Sequence, residues 1–394
     1  MKLFNFNKKE QPIQEPQKKL EYQETFHNVE LRVETNIPRV VENKSKQWVE
    51  YLTEDGREYL TFLEELYTSS PTHSSIVSTK ALLTAGDGFT YNDTLLSDEQ
   101  KLDLNKMLNF IDGKNDMTYF LNQISKDEVE FGVIAIEVIW SLDFTKIVKA
   151  TRIHPKCIRT GLYEDGEIKQ YFYSRNWENR REEITAIPAF DINDKENGRQ
   201  LIYIGQEMDG NDYYFTPQWS GSINWIALEA QMGVYYTSLL QNGFNPSLMI
   251  TLFNSSATPE EKETIARKMA KSFAGLKNAG KAIINFAKDK ESAPEIKPID
   301  VSNLDKQYIV LAEQITQKIL TGHKVTTTEL FGIATPGSLG SSDFATQVKV
   351  FQDFVITPNQ KFVEGIVNKL FKVNGLFIDF QINPYEITKI NTQK

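Results

Sequence analysis

Residues 275–282, GLKNAGKA, come within one residue of a phosphate-binding loop: a glycine, four intervening residues, then Gly280 and Lys281. A P-loop needs Ser or Thr next, because that hydroxyl holds Mg²⁺; here the position is Ala282. The loop must also open a helix, so that phosphates rest on the helix N-terminus. The flanking sequence predicts the reverse order. TPEEKETIARKMAKSF, with Thr258 as N-cap, Pro259 at N1 and Glu261 at N3, reads as a helix before the motif. AIINFA reads as a strand after it. Gly275 and Gly280 are expected as a helix exit and a turn, and Lys277 and Lys281 as exposed cations.

The remaining candidates for chemistry are few. The four histidines, His27, His73, His154 and His323, stand in no metalloprotease spacing. His154 and Cys157 flank Pro155 in RIHPKCIR, a poor geometry for a nucleophile and its base, so His154 reads as structural. Cys157 is the single cysteine, which excludes an intrachain disulfide and a multi-cysteine zinc site; it reads as an inert packed thiol. The carboxylate run DEVE, 127–130, reads as a solvated helix face, and the Gly/Ser-rich TPGSLGSS, 335–342, as a connector. No catalytic, cofactor or metal site is expected, and the chain is read as a non-enzyme.

The elements that would position such residues come from pattern. With 394 residues, 40% apolar and 25% charged, the chain predicts two or three soluble subdomains. No window approaches the roughly 20 apolar residues of a spanning helix. Residues 1–25, rich in Gln, Glu, Lys and Pro, read as a disordered arm without a signal peptide. A net charge of −9 argues against a protein that coats nucleic acid, though not against one that handles DNA without gripping it.

Helices are predicted at 57–68, 72–84, 97–110 and 116–130, then a strand at 131–140 and a mostly antiparallel sheet from 146 to 216. A long apolar helix, 222–241, ends at Asn242-Gly243. A second, 303–321, starts at the N-cap Ser302 and stops at Gly322. Between them lies an insert of about sixty residues, with LMITLF as its first strand. Two further helices, 342–356 and 359–372, meet at Thr357-Pro358, where proline either kinks one rod or starts the second piece. The fold class is α+β.

This order of elements resembles the portal proteins of tailed bacteriophages and prophages. The resemblance covers about 57–382 and rests on seven collinear segments. They are SPTHSSIVSTKALLTAGDGFTY, DEVEFGVIAIEVIW, IHPKCIRTG, LLQNGFNPSLMITL, FAGLKNAGKAIIN, ITQKILTGHKVTTTELFGI with a following GSS, and FVITPNQKFVEGIVNKL.

The resemblance implies a portal-type fold: a mixed α/β wing (26–218), stem helix one (219–243), a small α/β clip (244–302), stem helix two (303–321) and a tunnel loop (322–341). A long kinked helix and a return strand (342–394) complete it, with the crown minimal or absent. It implies a homo-oligomeric ring, dodecameric in the family, at one capsid vertex of a virion assembled in the bacterial cytoplasm. Its partners would be double-stranded DNA passing without sequence specificity, the terminase large subunit, the major capsid protein or scaffold, and tail adaptor proteins, with no membrane and no cofactor.

Residues take their expected places from this. Trp225, Leu228, Met232, Tyr235, Leu239, Tyr308, Leu311 and Ile315 would pack the stem between copies. Lys324, Thr326, Thr327, Thr328, Ser338, Ser341 and Ser342 would face the DNA. Lys277, Lys281, Lys288 and Lys290 would face the terminase, since 244–302 carries nine cations against seven anions in an acidic chain. A bore without many cations lets a polyanion slide, because each Lys or Arg on a phosphate adds binding strength. Two alternatives are another ring-forming head–tail connector or adaptor, and an enzyme acting on nucleic acid; the missing carboxylate or metal-ligand constellation weighs against the latter.

Overall fold

The computed structural model describes residues 38–43, 45–179, 181–206, 211–241, 249–253, 264, 283–287, 304–333 and 344–386. The N-terminal arm, the helix expected after Thr258, the glycine–lysine motif, the cap at Ser302 and the Gly/Ser connector lie outside them.

The described chain opens with an antiparallel pair, β1 (Arg39–Glu42) and β2 (Val49–Leu52). Helices α1 (Tyr59–Ser69) and α2 (Pro71–Ala85) follow, separated by one residue. Ser70 caps α2 by accepting from His73 N, and Pro71 occupies the first helical position, where its missing N–H costs nothing. Gly86 and Gly88 leave α2 with φ of 74° and 83°, the left-handed values the glycine spacing predicts, into β3 (Phe89–Thr90). A capping box between Ser97 and Gln100 starts α3 (Asp98–Asn109), and Asp116 caps α4 (Met117–Phe131).

Gly132, at φ 72°, turns α4 into β4 (Val133–Trp140). β4 is central, between β5 (Ile147–Ile153) and the later β11 (Arg199–Gly205), both antiparallel to it. A central strand covered on both faces needs apolar side chains on both, and VIAIEVIW supplies them. Val133 and Ala135 join one core, with Leu201 and Tyr203 of β11. Ile134, Ile136 and Val138 join a second, with Ile202. This sheet is the wall between the two cores.

Between β5 and β11 run the short strands β6 (Ile158–Thr160), β7 (Tyr163–Glu164), β8 (Glu167–Ile168), β9 (Gln170–Tyr173) and β10 (Thr185–Pro188). They form an antiparallel sheet in the order β10-β9-β6 and a β7–β8 hairpin. Single bridges, Trp48 to Gly161 and Ala189 to Leu201, stitch this sheet to β2 and β11.

α5 (Ile223–Gln241) leads away from these sheets. Beyond it β12 (Met249–Phe253) pairs in parallel with β13 (Ile283–Ala287), matching the two strands expected in the insert. A strand therefore stands directly after the glycine–lysine motif, where a P-loop must begin a helix. α6 (Leu304–Gly322) runs back to the first core, which Ile315, Ile319 and Leu320 join. α7 (Phe344–Phe351) then passes through one π-helical turn, Gln352–Ile356, into α8 (Thr357–Val373). Pro358 removes the N–H that would bond to Phe354 O and its ring crowds that carbonyl, so the turn widens while the rod continues. The return strand β14 (Gln381–Ile382) pairs with β3.

One reading of the sequence fails here. The carboxylates of DEVE are not a solvated face: Asp127, Glu128 and Glu130 are 1%, 3% and 3% exposed. They can be buried because each is partnered. Arg152 of β5 donates to both Asp127 oxygens at 2.6 Å, Gln206 donates to Glu128 at 2.5 Å, and Lys126 lies 3.6 Å from Glu130.

Candidate oligomer-packing stem and its anchor

α5 and α6 run side by side, and the start of α5 meets the end of α6 closely. Gly322, the last residue of α6, abuts Ser222; a Cβ there would lie 2.4 Å from both the Cβ and Oγ of Ser222. Ser222 Oγ in turn donates to Trp219 O at 2.8 Å. Trp219, fully buried, donates its indole N–H to Val129 O of α4 at 2.8 Å.

Against that indole lie two histidines. His73 of α2 meets Trp219 edge-on, with ring centroids 4.3 Å apart, and His323, just past α6, stacks on Trp219 at 5.8 Å, with 5.1 Å between the two imidazole centroids. His73 Nδ1 and His323 Nε2 are 2.9 Å apart and both rings are buried. Burial, helped by the charge of Lys80, holds His73 down to about 3. Burial, Lys80 and His73 hold His323 well below its ordinary value. Both rings are therefore neutral, one donating and the other accepting. Lys80 is itself lowered to about 8 by burial, against the attraction of Glu128.

A second tie joins the stem to α2. Glu229 of α5 accepts from Thr72 Oγ1 at 2.6 Å, from Thr72 N at 3.3 Å, and from Ser70 Oγ. Its carboxylate thus sits at the N-terminus of α2, where unpaired N–H groups favour negative charge.

Along the stem, burial fades with distance from this anchor. Ile315 is in the core, and Trp225, Leu228, Met232 and Leu311 pack against it half-buried. Farther out, Tyr235 and Tyr308 bring their hydroxyls to 2.8 Å. That hydrogen bond and burial push Tyr308 up to about 12. Tyr236 meets Tyr308 edge-on at 5.5 Å. At this end Val234, Ile309 and Val310 are 48%, 60% and 52% exposed. Leu239 has its side chain outside the described residues.

The other expected site residues fare differently. Lys324 is exposed with φ 58°, and Thr326, also exposed, donates to Gln347 O at 2.8 Å. Thr327 is buried, its hydroxyl donated to Glu329 at 2.5 Å, and Thr328 is half-buried. Ser338, Ser341 and Ser342, and the clip lysines Lys277, Lys281, Lys288 and Lys290, lie outside the described residues. His154 Nδ1 accepts from Lys156 N within its own turn at 3.3 Å, and burial holds the ring down to about 3. Burial also pushes the Cys157 thiol up, so these two do not make an activated pair. Among the described residues, no group of three or more His, Cys, Asp or Glu could hold a metal ion, and no helix is long and apolar enough to cross a membrane. His73, His323, Trp219, Lys80 and Glu229 were not expected at this junction.

No protein-family model matches the sequence, and no curated protein matches it either. Solved structures do. A chain in the neck of a native gene transfer agent particle, computed with C12 symmetry, superposes with TM-score 0.52 at 15% identity, over 83% of this chain and 84% of that one. A chain in the neck of an empty particle, computed with C6 symmetry, gives 0.55 at 14% identity, over 85% and 86%. A chain of the native virion of a gene transfer agent gives 0.51 at 15% identity, over 84% of each. At these identities the likeness establishes the α+β fold that the chains share.

Proposed function

We propose that this protein is a portal-type head–tail connector, a homo-oligomeric ring at one vertex of a phage-like capsid. Double-stranded DNA passes through its bore during packaging and ejection. The terminase docks on the clip, capsid protein or scaffold meets the wing, and tail adaptors attach afterwards. The role involves no catalysis.

The observation that carries this reading is the stem. Two long helices are pinned to the wing at one end, yet present uncovered Val, Ile and Tyr side chains at the other. A full-length apolar side chain left in water forgoes about 1.5–3 kcal/mol. Neighbouring copies arranged head to tail around a closed ring would cover these side chains. The shared fold with a neck chain solved in twelvefold symmetry favours twelve copies. In this arrangement Lys324 and Thr326 begin the surface that faces DNA, with few cations to hold it.

Size-exclusion chromatography with light scattering on the purified chain tests the reading. The expected result is a particle many times 45.2 kDa, seen as a ring by electron microscopy. A species that stays at 45.2 kDa at high concentration, with and without capsid protein, would overturn it. A ring image with residues 324–333 on its outer rim would remove the channel assignment.

A further inference from the structure

Gly233 stands in the middle of α5, where glycine is among the least favourable residues for a helix. The subunit's own packing does not require it. A Cβ placed there would meet nothing within 4 Å among the described residues, whereas at Gly322 of α6 it would strike Ser222. The missing side chain at Gly233 leaves a notch on the outside of the helix.

The notch has a direction and a height. Successive helix positions advance by about 100°, so Gly233 lies nearly opposite Tyr235, which meets Tyr308 of α6. Ala230 and Thr237 share the face of Gly233, and Thr237 folds its hydroxyl back onto Gly233 O at 2.9 Å, which keeps that face low. The same geometry on α6 puts Val310 nearly opposite Tyr308, with Ile309 beside it, and both are exposed. Gly233 is two residues before Tyr235 and Val310 two after Tyr308, on helices that run in opposite directions. Each is thus displaced from the tyrosine pair by about 3 Å toward the same end. The helix pair carries a notch on one outer side and a branched apolar ridge on the other, at one height.

On the ring reading, we propose that α6 of one copy seats Val310, with Ile309 beside it, in the notch at Gly233 on α5 of the next copy. Copies related by rotation alone need contacting patches at a matching height, and a ridge and a notch on opposite sides of one subunit join head to tail. Ridges of one helix pack into grooves of the other, and a residue without a Cβ lets the axes approach to the short end of the usual range of about 8–10 Å. Charge does not oppose the contact. Glu229 is the only charged residue of α5 and is held by Ser70 and Thr72, so Glu313, on the Val310 side of α6, meets no like charge. A nucleic acid fits less well, because α5 offers its phosphates no cation.

Light scattering over a concentration series, on the full chain and its variants, tests the contact. Gly233→Ala should raise the melting temperature of the dissociated chain, because alanine suits a helix interior and its methyl meets nothing. It should also raise, by about tenfold or more, the concentration at which the assembly half-dissociates. Gly233→Leu should stay at 45.2 kDa where the parent is assembled, and adding Val310→Ala should restore mass, since the smaller side chain of the next copy makes room. A parent that remains at 45.2 kDa overturns the ring reading and this contact with it. A parent that assembles, with Gly233→Leu assembling equally well, overturns this contact alone and leaves the notch to another protein. So does a Gly233→Leu defect that neither Val310→Ala nor Ile309→Ala relieves.

Discussion

His73 and His323, 250 residues apart in sequence, share one hydrogen bond of 2.9 Å inside a pocket sealed by Trp219. Lys80 of the same helix is the charge that acts on both rings, and it is itself attracted by Glu128 of α4 and repelled by Lys324 beyond α6. A histidine whose folded pKa is depressed leaves the unfolded state binding more protons. Its stabilising contribution is complete above the ordinary value of 6.5 and is lost as pH falls from there towards about 3. Asp127 and Glu130, raised to about 6 and about 7 by burial, act in the opposite direction over part of this range. The pair is therefore read as a difference. H73Q/H323Q should be less stable than the parent at neutral pH, and the gap should narrow by up to about 1.4 kcal/mol per pH unit per histidine below 6.5. Urea midpoints across that range measure it; a constant gap would refute the neutral buried pair.

Glu229 should act as a charged clamp. Glu229→Gln keeps the shape but removes the charge at the start of α2, and is expected to cost about 1–2 kcal/mol. Glu229→Ala also leaves the hydroxyls of Ser70 and Thr72 without their acceptor, and should cost more. Chemical denaturation of the two variants separates charge from hydrogen bonding; a Glu229→Gln variant as stable as the parent would argue against the dipole contribution.

Gly322→Ala forces a methyl into Ser222, and should cost about 1–3 kcal/mol as overpacking. The remedy is specific. Ser222→Gly removes both clashing atoms, so the double variant should recover part of the loss despite giving up the bond to Trp219 O. The signature in melting experiments is a coupling between the two sites of more than about 0.5 kcal/mol.

Val234→Asp with Ile309→Asp places charge on the uncovered end of the stem. Both positions are exposed in the single chain, so the far-UV circular dichroism should be unchanged. The mass by light scattering should fall towards 45.2 kDa. A ring that survives these changes would show that the stem ends are not where copies meet.

Much of the framework was legible in the sequence because local signals agree there. Ser70-Pro71, the Ser97–Gln100 box and Gly132 each fix an element end by chemistry within a few residues of it, and the observed ends fall within a residue or two of the predicted ones. The carboxylates of 127–130 were misread because their burial depends on Arg152 of β5 and Gln206 just past β11, both distant in sequence. Thr327 looked like its neighbours in a polar loop; only the fold turns it inward to Glu329. The histidine pair left no signal, since each residue sits at an ordinary helix end and the partner lies at the far end of the chain. The helices α5 and α6 were visible as apolar periodicity, but which of their residues stay uncovered depends on how far the rest of the fold reaches along them.

The widened turn at Gln352–Ile356 holds one residue more than an α turn. Removing one residue from it would restore ordinary helical winding and leave α7 close to its present rotational phase on α8. The rod therefore absorbs a one-residue change at this turn, whereas the same change in its regular part would swing the segment upstream by about 100°.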